Sequence, residues 1–269
     1  MDIWHKIGII TLLSVMLAGC QTAPAPSGPG GGERIEAEAP QPPNETPTLQ
    51  QPNETPAPPV AAPQDERSAG EMSKQLIEAA ERGETGVVKT LLLQGAAIDA
   101  RDDRGRTAVM AATHGNKPET VKALIGAGAN IHIQDDRQDN PFLYAGAEGL
   151  LEILKLTIEA GADTKLTNRY GGTALIPAAE RGHVDIVKEL LTMTDVDVNH
   201  INRLGWTALM EAVVLGSGGV KHQQIVQLLV DYKADVNIPD KDGVTALEHA
   251  AKRKYKEIER ILIGAGAKK

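Results

Sequence analysis

After residue 70, apolar residues recur with the period of an α-helix, and this pattern repeats about every 33 residues. Five segments start with a small polar residue that apolar residues follow. Apolar positions then recur three and four residues apart, which indicates an amphipathic helix, and a second such stretch comes after a short turn. The pattern predicts a pair of helices in every unit. The five starts, which lie 33, 33, 34 and 38 residues apart, are Thr107, Asn140, Thr173, Thr207 and Thr245.

A sixth unit precedes these five. Lys74 begins a similar segment 33 residues before the first start, and no hairpin sequence comes before it, as expected of a unit that caps the end of a stack. Repeats of this length bury a core only by stacking on their neighbours. The predicted fold is an all-α repeat solenoid of paired antiparallel helices and hairpin loops, with about six units. Their predicted bounds are 71–101, 102–134, 135–167, 168–201, 202–239 and 240–269.

The predicted helix ends carry suitable residues. Thr and Asn are good N-caps for the first helices. Three positions depart from the pattern. Gln138 replaces the glycine of the third hairpin, which predicts a looser turn, and Pro177 should remove one backbone hydrogen bond from a first helix. Lys233 replaces the glycine after the second helix of unit five. Glycines that should adopt a left-handed C-cap after second helices are Gly95, Gly128, Gly161 and Gly266.

Several motifs in these units resemble the ankyrin repeat, whose pattern runs Asp-x-x-Gly-x-Thr-Pro-Leu-His-x-Ala-Ala. The turn glycine of that pattern is present as Gly105, Gly171, Gly205 and Gly243. Residues 182–191, Gly-His-Val-Asp-Ile-Val-Lys-Glu-Leu-Leu, match its second helix. The resemblance covers the whole chain after residue 70. It implies the ankyrin fold and the binding of protein partners.

The first twenty residues are typical of a targeting signal. An apolar run at 7–17 would form a helix of about 16 Å, too short for a hydrocarbon core of ~30 Å. The run ends in Leu-Ala-Gly-Cys at 17–20, which resembles the lipobox of bacterial lipoproteins. We therefore predict a signal peptide at 1–19 and lipidation of Cys20, the alternative being an ordinary signal peptide with a chance cysteine.

Residues 20–70 are predicted to comprise the lipidated cysteine and a proline-rich disordered linker after it. Residues 21–70 hold twelve of the sixteen prolines and few large apolar residues, so this segment cannot bury enough surface to fold. By the same resemblance to lipoproteins, Gln21 after the cysteine favours the outer membrane, with the repeats facing the periplasm. The lipid anchor would hold the protein at the bacterial cell envelope.

The net charge and the absence of catalytic motifs argue against several classes of function. The net charge of −8 falls mostly on the linker, where residues 21–70 hold seven acids and two bases, and residues 71–269 are nearly balanced, with 28 acids and 25 bases. This balance argues against nucleic acid as a partner. The histidines are dispersed and no catalytic or metal-binding motif is present, so we expect no enzyme activity, cofactor, metal or small-molecule substrate. An enzyme that uses the insertion at 216–222 is the weak alternative.

A partner-binding surface is the remaining candidate site. In ankyrin repeats, partners usually meet the hairpin tips and the exposed face of the first helices, here the concave surface around units four and five. Trp, Tyr and Arg are common interface anchors, although Trp206 and Tyr170 could instead only pack against adjacent hairpins. The candidate residues are Arg104, Arg106, Arg137, Arg169, Tyr170, Arg181, Arg203, Leu204, Trp206 and Leu215.

The family resemblance extends to the kind of partner. It points to envelope stress enzymes, including catalases, or to a toxin that an immunity protein neutralises. A structural role in organising the envelope or the cell wall is the alternative. The residues do not choose among these roles.

Overall fold

The computed structural model describes residues 64–268, with side chains from residue 68 onward. Over this range six helix pairs follow one another, which confirms the predicted all-α repeat fold. First helices pack against first helices of the next pair, and second helices against second helices. The predictions for residues 1–63, including Cys20, lie outside the described residues. The helices are α1 (Gln64–Arg82), α2 (Thr85–Leu93), α3 (Ala108–His114), α4 (Pro118–Gly126), α5 (Pro141–Glu148), α6 (Leu151–Glu159), α7 (Leu175–Glu180), α8 (Val184–Met193), α9 (Ala208–Val214), α10 (Val220–Asp231), α11 (Ala246–Arg253) and α12 (Lys256–Gly264).

A hairpin loop precedes the first helix of units two to six, and one side-chain oxygen closes each of them. In unit two, Oδ1 of Asp102 accepts the backbone N–H of Arg104 at 2.9 Å and of Arg106 at 2.8 Å. Gly105 between them has a φ of 73°, which glycine adopts without strain. Asp and Asn suit this position because their short side chains reach the backbone two residues on. The five closing residues are Asp102, Asp135, Asn168, Asn202 and Asp240.

The third hairpin keeps the same geometry although Gln138 replaces its glycine. Gln138 has a φ of 59° and donates its N–H to the carbonyl oxygen of Asp135 at 2.9 Å. Oδ1 of Asp135 also accepts two N–H groups, at 2.8 and 3.0 Å. The prediction of a looser turn is wrong, because these hydrogen bonds hold glutamine in a region that costs a non-glycine residue roughly 1–2 kcal/mol.

The N-caps divide into four that form and one that does not. The hydroxyl of Thr173 is buried and has no hydrogen-bond partner, so its predicted role as an N-cap is wrong. Pro177 has no N–H for the carbonyl of Thr173, and Ile176 donates to that carbonyl instead, at 3.3 Å. The predicted loss of a backbone bond at Pro177 is therefore confirmed. The caps that accept a backbone N–H are Thr107, Asn140, Thr207 and Thr245.

The core is thin and aliphatic. The small pairs Ala79–Ala80 and Ala178–Ala179 are almost completely buried, which lets neighbouring first helices approach closely. The second helices contribute branched side chains such as Leu190, which is 0% exposed. Burial of one leucine contributes about 1.5–3 kcal/mol relative to exposure. Since each unit supplies only a few such groups, the stack depends on contacts between units.

The first helix is longer than its counterparts. It spans 19 residues from Gln64 to Arg82 and so begins inside the segment 20–70 that the sequence assigned to the linker. The last linker proline is Pro63, and the residues after it are mostly good helix formers. Residues 64–73 therefore continue α1 at the position where the other units have a hairpin.

The insertion of unit five is tied to both of its neighbours. The loop covers 215–219, and the predicted loop residue His222 lies instead in the first turn of α10. Nε2 of His222 is 2.9 Å from the carbonyl oxygen of Glu180, and Nδ1 is 3.2 Å from Oγ of Ser217. The hydroxyl of Tyr255 donates to the carbonyl oxygen of Gly216 at 3.1 Å. With both ring nitrogens engaged, His222 holds the loop in place.

The N-caps give a matched test of this account. Thr207→Ala removes a hydroxyl that accepts the N–H of Met210, whereas Thr173→Ala removes a buried hydroxyl without a partner. We expect Thr207→Ala to lower the free energy of unfolding by about 1 kcal/mol more than Thr173→Ala. Urea unfolding followed by circular dichroism measures both variants. Equal losses would contradict the assignment of the caps.

Candidate functional site

The five hairpins form one surface, here named the hairpin face (102–106, 135–139, 168–172, 202–206 and 240–244). Backbone hydrogen bonds join the hairpins of units two and three and those of units four and five. The N–H of Asp136 donates to the carbonyl oxygen of Arg104 at 3.1 Å. The N–H of Arg203 donates in the same way to Tyr170 at 2.9 Å. Side chains at successive tips are thus held side by side, which gives the surface a fixed order of groups.

Aromatic, aliphatic and cationic groups meet on the hairpins of units four and five. The guanidinium carbon of Arg169 is 4.9 Å from the centroid of the Tyr170 ring, a cation–π distance. Nη1 of Arg203 donates to the carbonyl oxygen of Arg169 at 2.7 Å. Leu204 and Trp206 follow on the same hairpin as Arg203, and each is half-buried. The structure therefore brings five of the predicted residues onto two adjoining hairpins.

Trp206 and Leu215 also contribute to the packing of the domain. Both are partly buried and pack against the core cluster. The backbone N–H of Trp206 also donates to Oδ1 of Asn202, which closes the hairpin. Each residue presents only part of its side chain to solvent, so removal of either affects packing as well as the surface.

Arg106 is buried and is not an exposed tip residue, so the prediction that it belongs to the binding surface is wrong. Its side chain is 9% exposed, and its guanidinium lies 3.0 Å from Oε1 of Glu81 and 2.8 Å from Oδ2 of Asp102. The hydrogen bond from Arg106 lowers the pKa of Glu81. A buried, doubly paired arginine fixes the second hairpin against α1, which is a structural role.

The other arginines differ in exposure and in partners. Arg104 and Arg137 are exposed tips of units two and three, and Nε of Arg137 is 3.8 Å from Oδ2 of Asp139. Arg181 lies after α7, where Nη1 donates to the carbonyl oxygen of Ala147 at 2.8 Å and pairs with Glu148. Arg181 thus joins units three and four and is only partly available to a partner.

Two buried carboxyl groups lie on neighbouring first helices, Glu180 at the end of α7 and Glu211 in α9. Glu211 is 1% exposed, and its Oε1 accepts the side-chain N–H of Asn202 at 2.7 Å. The second carboxyl oxygen of each glutamate has no hydrogen-bond partner. Burial, together with the nearby Glu180, raises the pKa of Glu211 to about 8. Burial also raises the pKa of Glu180. Glu211 therefore keeps its proton at neutral pH.

A second titratable cluster lies in units two and three. The rings of His114 and Tyr144 have centroids 3.9 Å apart, and Nε2 of His114 is 3.9 Å from Oδ2 of Asp135. Burial lowers the pKa of His114. Burial also raises the pKa of Asp139 to about 6, with Asp135 adding to the rise. The shifted pKa values of His114 and Asp139 result mainly from the burial of these side chains between hairpins and first helices.

Sequence reasoning missed Glu211 altogether. A signal was present, since Glu211 occupies the position that Ala111 holds in unit two, within an apolar stripe. An acidic residue in such a stripe is uncommon unless it is paired or protonated. The spacing of the repeat could have identified it as buried.

Two further histidines, His200 and His249, stabilise the fold. Nε2 of His200 is 2.7 Å from the carbonyl oxygen of Gly171, and Nε2 of His249 is 2.8 Å from Oδ2 of Asp240. Within residues 64–268, no three His, Cys, Asp or Glu side chains are grouped so as to hold a metal ion. No helix in the same range is long and apolar enough to cross a bilayer.

Known proteins that are similar to this chain match it over these repeats. A family model described as three copies of ankyrin repeats matches residues 76–168 and 142–238. The chain belongs to the ankyrin-repeat family. It is 44% identical over 189 residues to the ankyrin repeat protein YahD of Escherichia coli K12, covering 70% of this chain and 94% of that protein.

Solved ankyrin-repeat structures have the same fold. An ankyrin repeat domain from Acinetobacter baumannii is 53% identical, with a TM-score of 0.70 over 72% of this chain and 98% of that one. The ankyrin repeat domain of Bcl-3, a member of the IκB family, is 25% identical, with a TM-score of 0.65 over 72% of this chain and 86% of that one. Ankyrin repeat domains are typically non-catalytic interaction modules, and membership implies a role in protein–protein interaction.

Because Glu211 is buried and protonated, we expect the stability of this ankyrin domain to depend on pH. At pH values above 4.5, the ordinary pKa of a glutamate, the unfolded chain releases the Glu211 proton, whereas the folded state keeps it. The free energy of unfolding should therefore fall as the pH rises toward about 8, by up to about 1.4 kcal/mol per pH unit for this group. Above that pH the effect levels off.

Glu211→Gln removes the titrating group and keeps its size. Between about pH 6 and 8, urea unfolding of this variant should show a shallower fall in stability than the parent chain. Parallel slopes for the two proteins would contradict a protonated Glu211.

Proposed function

We propose that this protein is a membrane-tethered, non-enzymatic scaffold that binds a protein partner through the hairpins of units four and five. The observation that carries the proposal is the placement of Tyr170, Leu204 and Trp206 on adjoining hairpins beside two arginines. Trp, Tyr and Arg supply much of the binding energy of known interfaces. A single unit would hold these groups loosely, and the stack holds them in order.

Rigidity favours this surface as a binding site. Each hairpin is closed by two side-chain hydrogen bonds, as at Asn168 and Asn202, and a backbone hydrogen bond joins the hairpins of units four and five. A surface that is already ordered loses little conformational freedom when a partner binds. The closing residues therefore support affinity without touching the partner.

The sequence of residues 1–70 supports tethering at the bacterial envelope. In this proposal Cys20 carries the lipid, and Gln21 after it directs the protein to the outer membrane, facing the periplasm. A linker over residues 21–63 would span roughly 35 Å as a coil and roughly 130 Å if fully extended. The anchor would confine the partner near the membrane and raise its local concentration. Support of a periplasmic stress enzyme and neutralisation of a toxin both fit such a scaffold.

Aromatic substitutions test the proposed surface. Trp206→Ala and Tyr170→Ala should each reduce recovery of the native partner about tenfold in affinity capture from cells, because each removes an anchor. Tyr232→Ala is the matched control, since Tyr232 is an exposed tyrosine after α10, outside the hairpin face. Circular dichroism checks that the variants fold. Equal recovery with all three variants would eliminate the site.

Substitution at the cysteine tests the tether. Cys20→Ser removes the sulfur that would carry the lipid, so the protein should leave the membrane fraction. Gln21→Asp keeps the cysteine and should keep the protein in that fraction. Cell fractionation followed by immunoblotting measures both. A Cys20→Ser protein that still sediments with membranes would disprove the lipid anchor.

A further inference from the structure

The residue that closes each hairpin differs in charge along the stack. Asp fills this position in units two, three and six, whereas Asn168 and Asn202 fill it in units four and five. The amide oxygen of Asn168 accepts two N–H groups at 2.9 and 3.1 Å, much as the carboxylate of Asp102 accepts two at 2.9 and 2.8 Å. The turn is thus closed equally well without a negative charge.

This exchange makes two hairpins net positive. Hairpin 102–106 has two acids and two bases, hairpin 135–139 has three acids and one base, and hairpin 240–244 has two acids and one base. Hairpins 168–172 and 202–206 each have one arginine and no acid. The domain around them holds 28 acids and 25 bases over residues 71–269, so the positive charge is local.

Neither arginine forms an ion pair with a carboxylate within residues 64–268, although the charge of Arg169 acts on the pKa of Asp139 in the neighbouring hairpin. Arg203 donates to the carbonyl oxygen of Arg169, and Nζ of Lys241 in turn donates to the carbonyl oxygen of Arg203 at 2.5 Å. Arg169 lies over the Tyr170 ring. The ion pairs formed by arginines within residues 64–268 involve Arg82, Arg106, Arg137, Arg181 and Arg260. Both exposed guanidinium groups of units four and five therefore keep free donors for an anion.

We propose that hairpins 168–172 and 202–206 bind an acidic segment of the partner protein. Partner carboxylates pair with Arg169 and Arg203, since a guanidinium can bind a carboxylate through two parallel hydrogen bonds. An apolar side chain of the same segment packs on the exposed parts of Tyr170 and Trp206. This inference rests on the proposed function and specifies the chemistry of the partner. A local positive patch on a domain of nearly balanced charge also orients an acidic partner during encounter.

The test measures binding of a fluorescein-labelled oligoglutamate peptide to the full-length chain by fluorescence polarisation. Arg169→Gln with Arg203→Gln should weaken binding about tenfold, and raising the salt concentration from about 50 to about 300 mM should weaken binding to the parent chain. Arg104→Gln with Arg137→Gln is the matched control, because it removes the same charge from tips that lie beside acids. Arg169→Lys with Arg203→Lys keeps the charge but not the paired donors, so it should weaken binding less than the Arg169→Gln and Arg203→Gln pair and more than the control pair.

Several outcomes would overturn the inference. They are absence of binding by the parent chain, equal losses in the two glutamine pairs, and tighter binding of an oligolysine peptide. Binding to phosphatidylglycerol vesicles that the Arg169→Gln and Arg203→Gln pair abolishes would assign the patch to a membrane surface instead. Thermal unfolding confirms that each variant is folded before its binding is interpreted.

Partner capture separates this inference from the proposed function. If Trp206→Ala loses the native partner while the Arg169→Gln and Arg203→Gln pair retains it at every salt concentration, the scaffold function stands and the acidic segment is disproved. If neither variant loses the partner, the hairpins of units four and five are not the binding site.

Discussion

One side-chain oxygen closes each hairpin, and the arrangement of the whole hairpin face depends on it. Oδ1 of Asp102, and of its counterpart in every later unit, accepts two backbone N–H groups and fixes the chain before the first helix begins. With the turn fixed, the hairpin backbone can hydrogen-bond to the hairpin of the next unit, as Arg203 does to Tyr170. The order of side chains on the face follows from these bonds, because each tip residue sits at a set position relative to its neighbours.

Stacking provides the stability that single units lack, and it also buries polar groups. The aliphatic core is built from small and branched side chains, so first helices lie close together and leave little room for solvent. Glu180 and Glu211 are enclosed between such helices, each with an oxygen that has no partner. Burial is why Glu211 keeps a proton near neutral pH. The rigidity that keeps the hairpin face in order is thus obtained together with a stability that falls as the pH rises toward about 8.

Sequence periodicity predicted the fold because most units repeat the same local signals, which are a capping residue, an apolar stripe and, in four of the six units, a glycine after the second helix. It failed where tertiary contacts override those signals. Gln138 adopts the glycine conformation because Asp135 holds the turn, and Thr173 loses its capping role where Pro177 changes the first turn of its helix. Pattern alone also placed Arg106 on the surface, since the partner that buries it, Glu81, is 25 residues away in the sequence.

The candidate site was predictable in part. Repeat positions brought Tyr170, Leu204 and Trp206 together, and the structure adds the hydrogen bonds that order them. Hydroxyl-radical footprinting of the chain with its captured partner tests the central claim most directly, because it reports the exposure of single aromatic side chains. The account predicts that the partner protects Tyr170 and Trp206 from oxidation and leaves Tyr232 unchanged. Protection of Tyr232, with Tyr170 and Trp206 oxidised as in the free protein, would contradict it.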